Sequence, residues 1–432
     1  MGAILLVKHC DYNPKDQQGV LLGSTVIDTN NPRSEPVWFT GEGSLVTIAP
    51  PGAGKGQAQI IPNLLTYNGP AIVLDIKREN YDLTHEWREK YVGPVYKFAP
   101  YDKDSHHYNP LDFISHKDPA TLWDYAELTA SMLMVQSSHK DFWEGRAQDV
   151  LAAIIAHIKS DLPAREQNMQ TVLDMLYPTK EELDVIAVMM KKSPIRALNR
   201  MGNIINKMPE KQREGIFDSA RRHINIWQSK RVENITAKTN WLPEDFWKPP
   251  WKTLYISIPV GQVSTYASVL RVLIGQHIKG LIDSAPSRKE RAEYNIPSAL
   301  LLIDEMPQLG YMEPIPYSIE VGRSYGLRTW MFAQSIGQLR KAYPDADGLM
   351  EMCYAQCYMN PEFDTAKRLS DRLGTIDSVL TPKKERVAEP QELMGPDYAD
   401  KVISFTRGNE PLRLNKHFAF KSQSLLERMG EH

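Results

Sequence analysis

Hydrophobic positions along the chain change their spacing twice, and the changes divide it into three stretches. In the first, Leu45-Val46-Thr47-Ile48 is a short apolar run that meets the breaker cluster Pro50-Pro51-Gly52-Ala53-Gly54, after which 55–65 can coil as a helix. Ala71-Ile72-Val73-Leu74-Asp75 and Val95-Tyr96-Lys97-Phe98-Ala99 repeat the buried-strand pattern. Continuous apolar runs alternating with helical stretches predict a parallel sheet covered on both faces. From about Lys117 to Lys248 the period becomes helical, with Ala147, Val150, Leu151, Ile154, Ile155 and Ile158 on one face. Asp118-Pro119 and Thr179-Lys180-Glu181-Glu182 read as helix starts there. Strands return at Thr253–Ile258, Ala299–Asp304 and Thr329–Phe332. Pro286–Glu293 reads as a polar loop, and the last thirty or so residues as a weakly patterned tail.

The predicted fold is therefore α/β with a mainly parallel central sheet, interrupted by an inserted all-alpha domain. The expected boundaries are 1–116, 117–248 and 249–432. The 432 residues suit two to three domains, and 42% apolar with 24% charged residues is an ordinary globular mixture that excludes collagen, coiled coil and wholesale disorder. With 51 Lys and Arg against 53 Asp and Glu, bulk charge does not point to a nucleic-acid or membrane partner. The longest apolar runs, Ala3–Val7 and Ala299–Ile303, fall far short of the roughly 20 residues of a membrane span. The start lacks the basic lead and cleavage site of a signal peptide, so a cytoplasmic location is the default expectation. Three cysteines, two of them Cys353 and Cys357, indicate reduced thiols and neither a disulfide framework nor a zinc site.

Chemistry is carried by two segments. Ala49-Pro50-Pro51-Gly52-Ala53-Gly54-Lys55-Gly56 stands at a strand-to-helix turn. Glycines there let backbone N–H groups converge on phosphates, and a lysine reaches the β and γ phosphates, so Pro51, Gly52, Ala53, Gly54, Lys55, Gly56 and Gln57 form the candidate nucleotide-binding loop. Ala49 occupies the first glycine of the usual pattern and Gly56 the place of the hydroxyl that would hold Mg²⁺. Leu300-Leu301-Leu302-Ile303-Asp304-Glu305 is the second segment: Asp304 suits the Mg²⁺ hydration shell, and Glu305 the orientation or deprotonation of the attacking water. Residues 191–231 hold eleven basic residues against Glu210, Glu214 and Asp218. Arg196, Arg200, Lys207, Arg221 and Arg222 are thus the candidate DNA contacts, with a solvated helix face or a dock for an acidic partner as the competing readings. Trp227, Trp241 and Trp247 could stack bases, but their spacing favours the core, and His106-His107 reads as a polar loop pair.

The loop at 49–56, followed by Ile61-Pro62-Asn63-Leu64-Leu65 and Val73-Leu74-Asp75-Ile76-Lys77-Arg78-Glu79-Asn80, resembles the TraG-like coupling ATPases of type IV secretion, the motors of conjugative DNA transfer. That family commonly reads A-P-x-x-x-G-K-G, so the departures at Ala49 and Gly56 match it. The resemblance continues through Tyr108-Asn109-Pro110-Leu111, Phe142-Trp143-Glu144, Asp304-Glu305, Ala333-Gln334-Ser335 and Ala366–Gly374, over about 19–420. It implies a RecA-like P-loop domain interrupted by an all-alpha domain, ATP and Mg²⁺ as ligands, and a hexameric ring, whose head-to-tail contacts allow a monomer at low concentration. It also implies that Gln334 senses the γ phosphate and that Arg323 acts as an arginine finger on a neighbouring subunit. Ile76 and Arg78 replace the Pro and Gly of the family's D-P-K-G-E segment. Members usually begin with two transmembrane helices, which this sequence lacks. The expected activity is ATP-driven recruitment of relaxase-bound single-stranded DNA or protein effectors to a type IV secretion channel, with membrane contact through other secretion components. The rival expectations are a soluble ring ATPase that pumps double-stranded DNA and a non-hydrolysing scaffold for effectors and adaptors. A small-molecule kinase would leave the helical insertion and Gln334 without a purpose.

Overall fold

The computed structural model describes residues 19–26, 34–114, 118–134, 142–377 and 384–430; Cys10 and the apolar run Ala3–Val7 lie outside them. The chain divides into two compact units. One comprises Met1–Tyr96, Phe246–Ser257 and Ser284–His432, and the other Lys97–Asp245 and Ile258–Asp283.

The strands are β1 (Val20–Val26), β2 (Ser34–Phe39), β3 (Leu45–Ile48), β4 (Ala71–Leu74), β5 (Val95–Phe98), β6 (Thr253–Ile256), β7 (Ala299–Ile303), β8 (Leu327–Ala333), β9 (Ala355–Tyr358), β10 (Thr375–Asp377), β11 (Lys384–Arg386), β12 (Lys401–Thr406) and β13 (Leu412–Asn415). Eleven of the described strands form one sheet in the order β2-β1-β13-β12-β9-β3-β8-β7-β4-β6-β5, and β10 and β11 pair separately. The neighbours from β9 through β3, β8, β7 and β4 to β6 are parallel. The wing from β9 through β12, β13 and β1 to β2 is antiparallel. Strands β3, β4, β6, β7, β8 and β9 are buried along their whole length, and β4 and β7 are apolar throughout for that reason, whereas β8 and β9 bury polar residues such as Arg328 and Gln356 as well.

Polar side chains join the wing to the parallel core. Asn63, on the helix Ile61–Thr66, grips the main chain of Leu21 from both sides: its Oδ1 accepts the Leu21 N–H at 2.6 Å and its Nδ2 donates to the Leu21 carbonyl at 2.9 Å. Trp330 Nε1 donates to Thr47 Oγ1, which donates to Gln59 Oε1, whose amide donates to the Leu22 carbonyl. All of these groups are buried, so each needs its partner.

In the helical unit the face predicted at Ala147–Ile158 is buried throughout. Asp118 accepts from the N–H groups of Ala120 and Thr121, and Thr179 and Glu182 form a reciprocal capping box. Tyr108 donates to Gln276 Oε1 at 3.0 Å, and the Gln276 amide donates to Pro110 O and Thr129 Oγ1. Trp227 and Trp241 are core residues here, donating to Ser268 Oγ and His277 Nε2; Trp247 is buried in the other unit. Burial pushes the His277 imidazole down to about 4, in keeping with a ring whose Nε2 accepts from tryptophan.

Four features depart from the sequence reading. The helical unit begins at Lys97 and takes in Ile258–Asp283, because the helix Ala267–Asp283 packs on the helix Pro119–Leu133. Pro286–Glu293 is a loop only at its start: Ser287 and Glu290 form a capping box that turns Arg288–Glu293 into a helix. The weakly patterned tail contains β13 and the end of β12, whose alternation is masked by Arg407-Gly408-Asn409 between them. The antiparallel wing was not foreseen, since β1, β2 and β9 mix glycine, proline and polar residues into their runs.

Candidate nucleotide site

Parallel strands deliver their C-terminal ends to one edge of a sheet, where ligands of such folds bind. Strand β3 ends at Ile48 beside Ala333 of β8, and the Ala49 N–H donates to the Ala333 carbonyl at 2.9 Å. The next residues turn sharply: Ala53 N–H donates to Pro50 O, and Gly52 and Gly54 take φ of +77° and +85°. Those are left-handed values that glycine adopts without a Cβ penalty. The helical turn Gly56–Ile60 then starts, and its first N–H groups lack intrahelical acceptors, as at any helix start. Pro51 and Gly52 are exposed, whereas Ala53 is buried in the core beneath the loop. A wide helical turn after a glycine-rich loop is thus the local consequence of Pro-Pro-Gly-Ala-Gly set behind a buried strand.

The structure brings Lys55, Asp304, Glu305 and Gln334 together. Lys55 Nζ bonds Glu305 Oε1 and lies 3.7 Å from Asp304 Oδ1. Gln334, one residue past β8, donates from Nε2 to Glu305 Oε2 at 2.8 Å. Glu305 itself is nearly fully buried and holds φ +53°, a left-handed conformation that costs a residue with a Cβ on the order of 1 kcal/mol. Strain of this kind persists only where surrounding contacts fix it, and here the two bonds to Lys55 and Gln334 do so. Gln57 reaches the next segment through Nε2 to Glu79 Oε1 at 3.2 Å, while its buried Oε1 has no partner.

Asp75 ends β4 beside this group and has a mainly structural task. Its carboxylate accepts the Tyr81 N–H at 2.7 Å and the Asn80 amide at 3.1 Å, closing the start of the helix Glu79–Tyr91. Arg78, which stands where relatives of the resembled family carry glycine, has φ +66°. The turn requires a left-handed residue whatever its side chain, so the family's glycine has a backbone reason.

Burial raises both inner carboxyls. Asp304 is lifted by desolvation against the opposing pull of Lys55, and Asp75 is pushed up to about 7 by desolvation, with its two hydrogen bonds pulling the other way and Asp304 adding to the rise. The folded chain therefore holds a proton on Asp75 that the unfolded chain, at 3.8, releases earlier. The contribution of this group to stability falls as pH rises from about 4 to about 7, by up to about 1.4 kcal/mol per pH unit, and is flat above. Asp75→Asn is expected to flatten that part of the profile in urea titrations at closely spaced pH; an unchanged slope would place the titration elsewhere.

Arg323 is not brought to this group. It lies near the end of the helix Pro314–Tyr325, exposed, with its guanidinium bonded to the Tyr354 hydroxyl and 4.9 Å from that ring. Tyr354 sits beside Ser44 where β3 begins, so Arg323 occupies the sheet edge opposite the phosphate loop. Of the basic set, Arg196, Arg200 and Lys207 are exposed on the helix Arg196–Lys207, which contains no acidic residue. Arg221 is held by Asp218, Glu214 and the Leu176 carbonyl. Arg222 is exposed at a cleft of about 380 Å³ lined also by His223, Ser229, Ser264 and Thr265. His106 Nδ1 accepts the Lys97 N–H, and His107 donates its N–H to Asn240: a polar loop pair. Cys353 and Cys357 are buried free thiols, Cys353 being pushed up to about 12 by desolvation.

Sequence reasoning assigned no task to Arg88, Asn63 or Phe418, whose partners lie far away in the chain. The signal that could have found Asn63 was a polar residue inside the otherwise apolar run Ile61–Leu65.

Residues 15–432 match the protein family described as Type IV secretory system Conjugative DNA transfer. The chain is 22% identical over 418 residues to the type IV secretion system-coupling protein VirD4 of Bartonella henselae, covering 89% of this chain and 64% of that protein. It is 27% identical over 326 residues to protein VirD4 of Rhizobium rhizogenes, covering 72% and 46%. Plasmid coupling protein TrwB, solved with the non-hydrolysable ATP analogue ADPNP, superposes with a TM-score of 0.67 at 16% identity, over 88% of this chain and 86% of that one. That likeness shows the RecA-like P-loop fold. The chain spans 64% of the Bartonella relative's length and under half of the Rhizobium one. Among the described residues, no helix is long and apolar enough to cross a membrane.

Proposed function

Because the chain belongs to the type IV secretory conjugative DNA-transfer family, we propose that it is the nucleotide-driven part of a coupling protein, hydrolysing ATP to pass single-stranded DNA bound to a relaxase, or protein effectors, toward a secretion channel. The observation that carries this reading is the contact chain from Lys55 through Glu305 to Gln334, with Asp304 alongside. It joins the groups that phosphoryl transfer needs at one sheet edge.

In this arrangement the γ phosphate competes with Glu305 for Lys55. Drawing the ammonium onto the β and γ oxygens frees one carboxylate oxygen of Glu305 to orient water and take its proton. Gln334, bonded to the other oxygen, is placed to register whether the γ phosphate is present. Magnesium, when bound, would neutralise charge across the β and γ oxygens. The residues suit it: Asp304 is a buried carboxylate 3.7 Å from the phosphate-binding lysine. Gly56 offers no hydroxyl, so Asp304 would hold the ion through water. Arg323, too far round the sheet for its own site, would act on that of a neighbouring copy in a ring, the proposed hexamer.

Arg196, Arg200 and Lys207 are the proposed phosphate-backbone contacts, giving sequence-independent and salt-dependent binding. Contact with the membrane would run through other secretion components. The test is ATP hydrolysis by the purified chain against increasing single-stranded DNA. DNA-stimulated turnover that is abolished by Lys55→Ala is the expected result, and full turnover in that variant rejects the site. Nucleotide binding without turnover at saturating DNA would favour an effector scaffold, and translocation on duplex without partners would favour a double-stranded DNA pump.

A further inference from the structure

The segment after β13 brings aromatic rings to the phosphate loop. Phe418 lies against Gly54 so closely that a Cβ on the glycine would come within 2.7 Å of ring carbon Cε1. Its ring therefore lines the loop, and a side chain at Gly54 would meet that ring as well as a φ of +85°. The Phe420 ring is 5.1 Å from that of Phe418 and tilted 34° to it. Lys421 Nζ stands 5.1 Å from the Phe418 ring and 5.9 Å from that of Phe420.

The segment is well anchored. Ala419 is buried with Ile61, Leu65 and Leu425, Lys416 Nζ donates to the Ala399 carbonyl at 2.7 Å, and Arg428 donates to the Leu65 carbonyl at 2.7 Å. Phe420 nevertheless stays 49% exposed. A ring held half in water beside a second ring and a cation presents a π-face to a planar partner.

The place of these rings suggests which partner. Lys55, Glu305 and Gln334 mark the γ-phosphate end of a bound nucleotide, at the ends of β3, β7 and β8. The α phosphate and nucleoside must then lie toward the helical turn Gly56–Ile60, and the turn Ala419–Lys421 packs against that turn.

We propose that Phe418, Phe420 and Lys421 form the nucleoside wall of the site, with the Phe420 ring stacking on the purine base and Lys421 beside the sugar and α phosphate. The proposal rests on the phosphate-loop reading above. Stacking uses the π-face that every base has, so adenine and guanine nucleotides are received alike.

The test is the affinity of the full chain for ATP, GTP and inorganic tripolyphosphate, each with Mg²⁺, measured by calorimetry for the wild type, Phe420→Ala and Phe420→Trp. Phe420→Ala is expected to weaken ATP and GTP by about tenfold and to leave tripolyphosphate unchanged, with Phe420→Trp close to wild type. Since tripolyphosphate has no base, its unchanged affinity reports an intact phosphate loop and a folded variant. Wild-type ATP affinity in Phe420→Ala, or an equal loss for tripolyphosphate, overturns the wall. Failure of the wild type to bind tripolyphosphate and ATP overturns the phosphate-loop reading itself.

Discussion

Replacing Glu305 by Gln is expected to lower kcat for the proposed ATP hydrolysis by about 10²- to 10⁴-fold, the range for neutralising a positioned general base, while nucleotide affinity is kept or tightened. The amide retains the shape of the carboxyl and can still meet Gln334, which donates to Oε2 at 2.8 Å. It cannot hold Lys55 as an ion pair, so the lysine is already free to meet the phosphates when ATP arrives. The signature is a fall in kcat without a rise in Kd, read by single-turnover hydrolysis together with direct binding. If kcat stays within tenfold of the wild type, Glu305 is a tether for Lys55 and not the base. If binding also collapses, the left-handed backbone at Glu305 depends on its charge, and the residue is structural.

A second large effect is expected far from the chemistry. Arg88 is fully buried on the helix Glu79–Tyr91. Among the described residues it has no carboxylate partner: its guanidinium donates to the carbonyls of Leu64, Tyr67 and Gly69 and to Thr253 Oγ1, at 2.6 to 2.9 Å. These carbonyls belong to the end of the helix behind the phosphate loop and the turn leading into β4, so one side chain ties that helix end and the turn together. Arg88→Met leaves three buried carbonyls without donors and is expected to destabilise the protein by about 3–5 kcal/mol, the cost of removing one side of a buried charged network. Arg88→Lys keeps the charge but has no planar fork to span three acceptors, and it is expected to recover only part of the loss. Chemical denaturation of the three proteins at one pH checks this; a change under 1 kcal/mol for Arg88→Met would mean that water takes over the carbonyls.

The sequence by itself determined the parallel half of the sheet and the loop that follows its first parallel strand. Strands β3, β4, β6, β7 and β8 are buried on both faces, so each carries a run of apolar residues, in β8 only from Trp330 on, and local composition carries the signal. The phosphate loop was legible because its requirement is local as well: Gly52 and Gly54 take positive φ within a few residues of Lys55. Asp304 and Glu305 could be named from their place just after an apolar strand, because parallel strands deliver their ends to one edge, whereas Gln334 was named from the family resemblance. The capping boxes at Thr179 and Ser287 follow the same rule, although the second was passed over where charge dominates its surroundings. Tertiary structure alone decided the rest. It set the bond from Lys55 to Glu305, the exclusion of Arg323 from that group, the carbonyl cluster around Arg88, the grip of Asn63 on Leu21 and the ring of Phe418 against Gly54. Each of these joins residues far apart in the chain through a contact of a few ångströms. The energy of such a contact depends on burial and on a partner's geometry, quantities that no window of neighbouring residues contains.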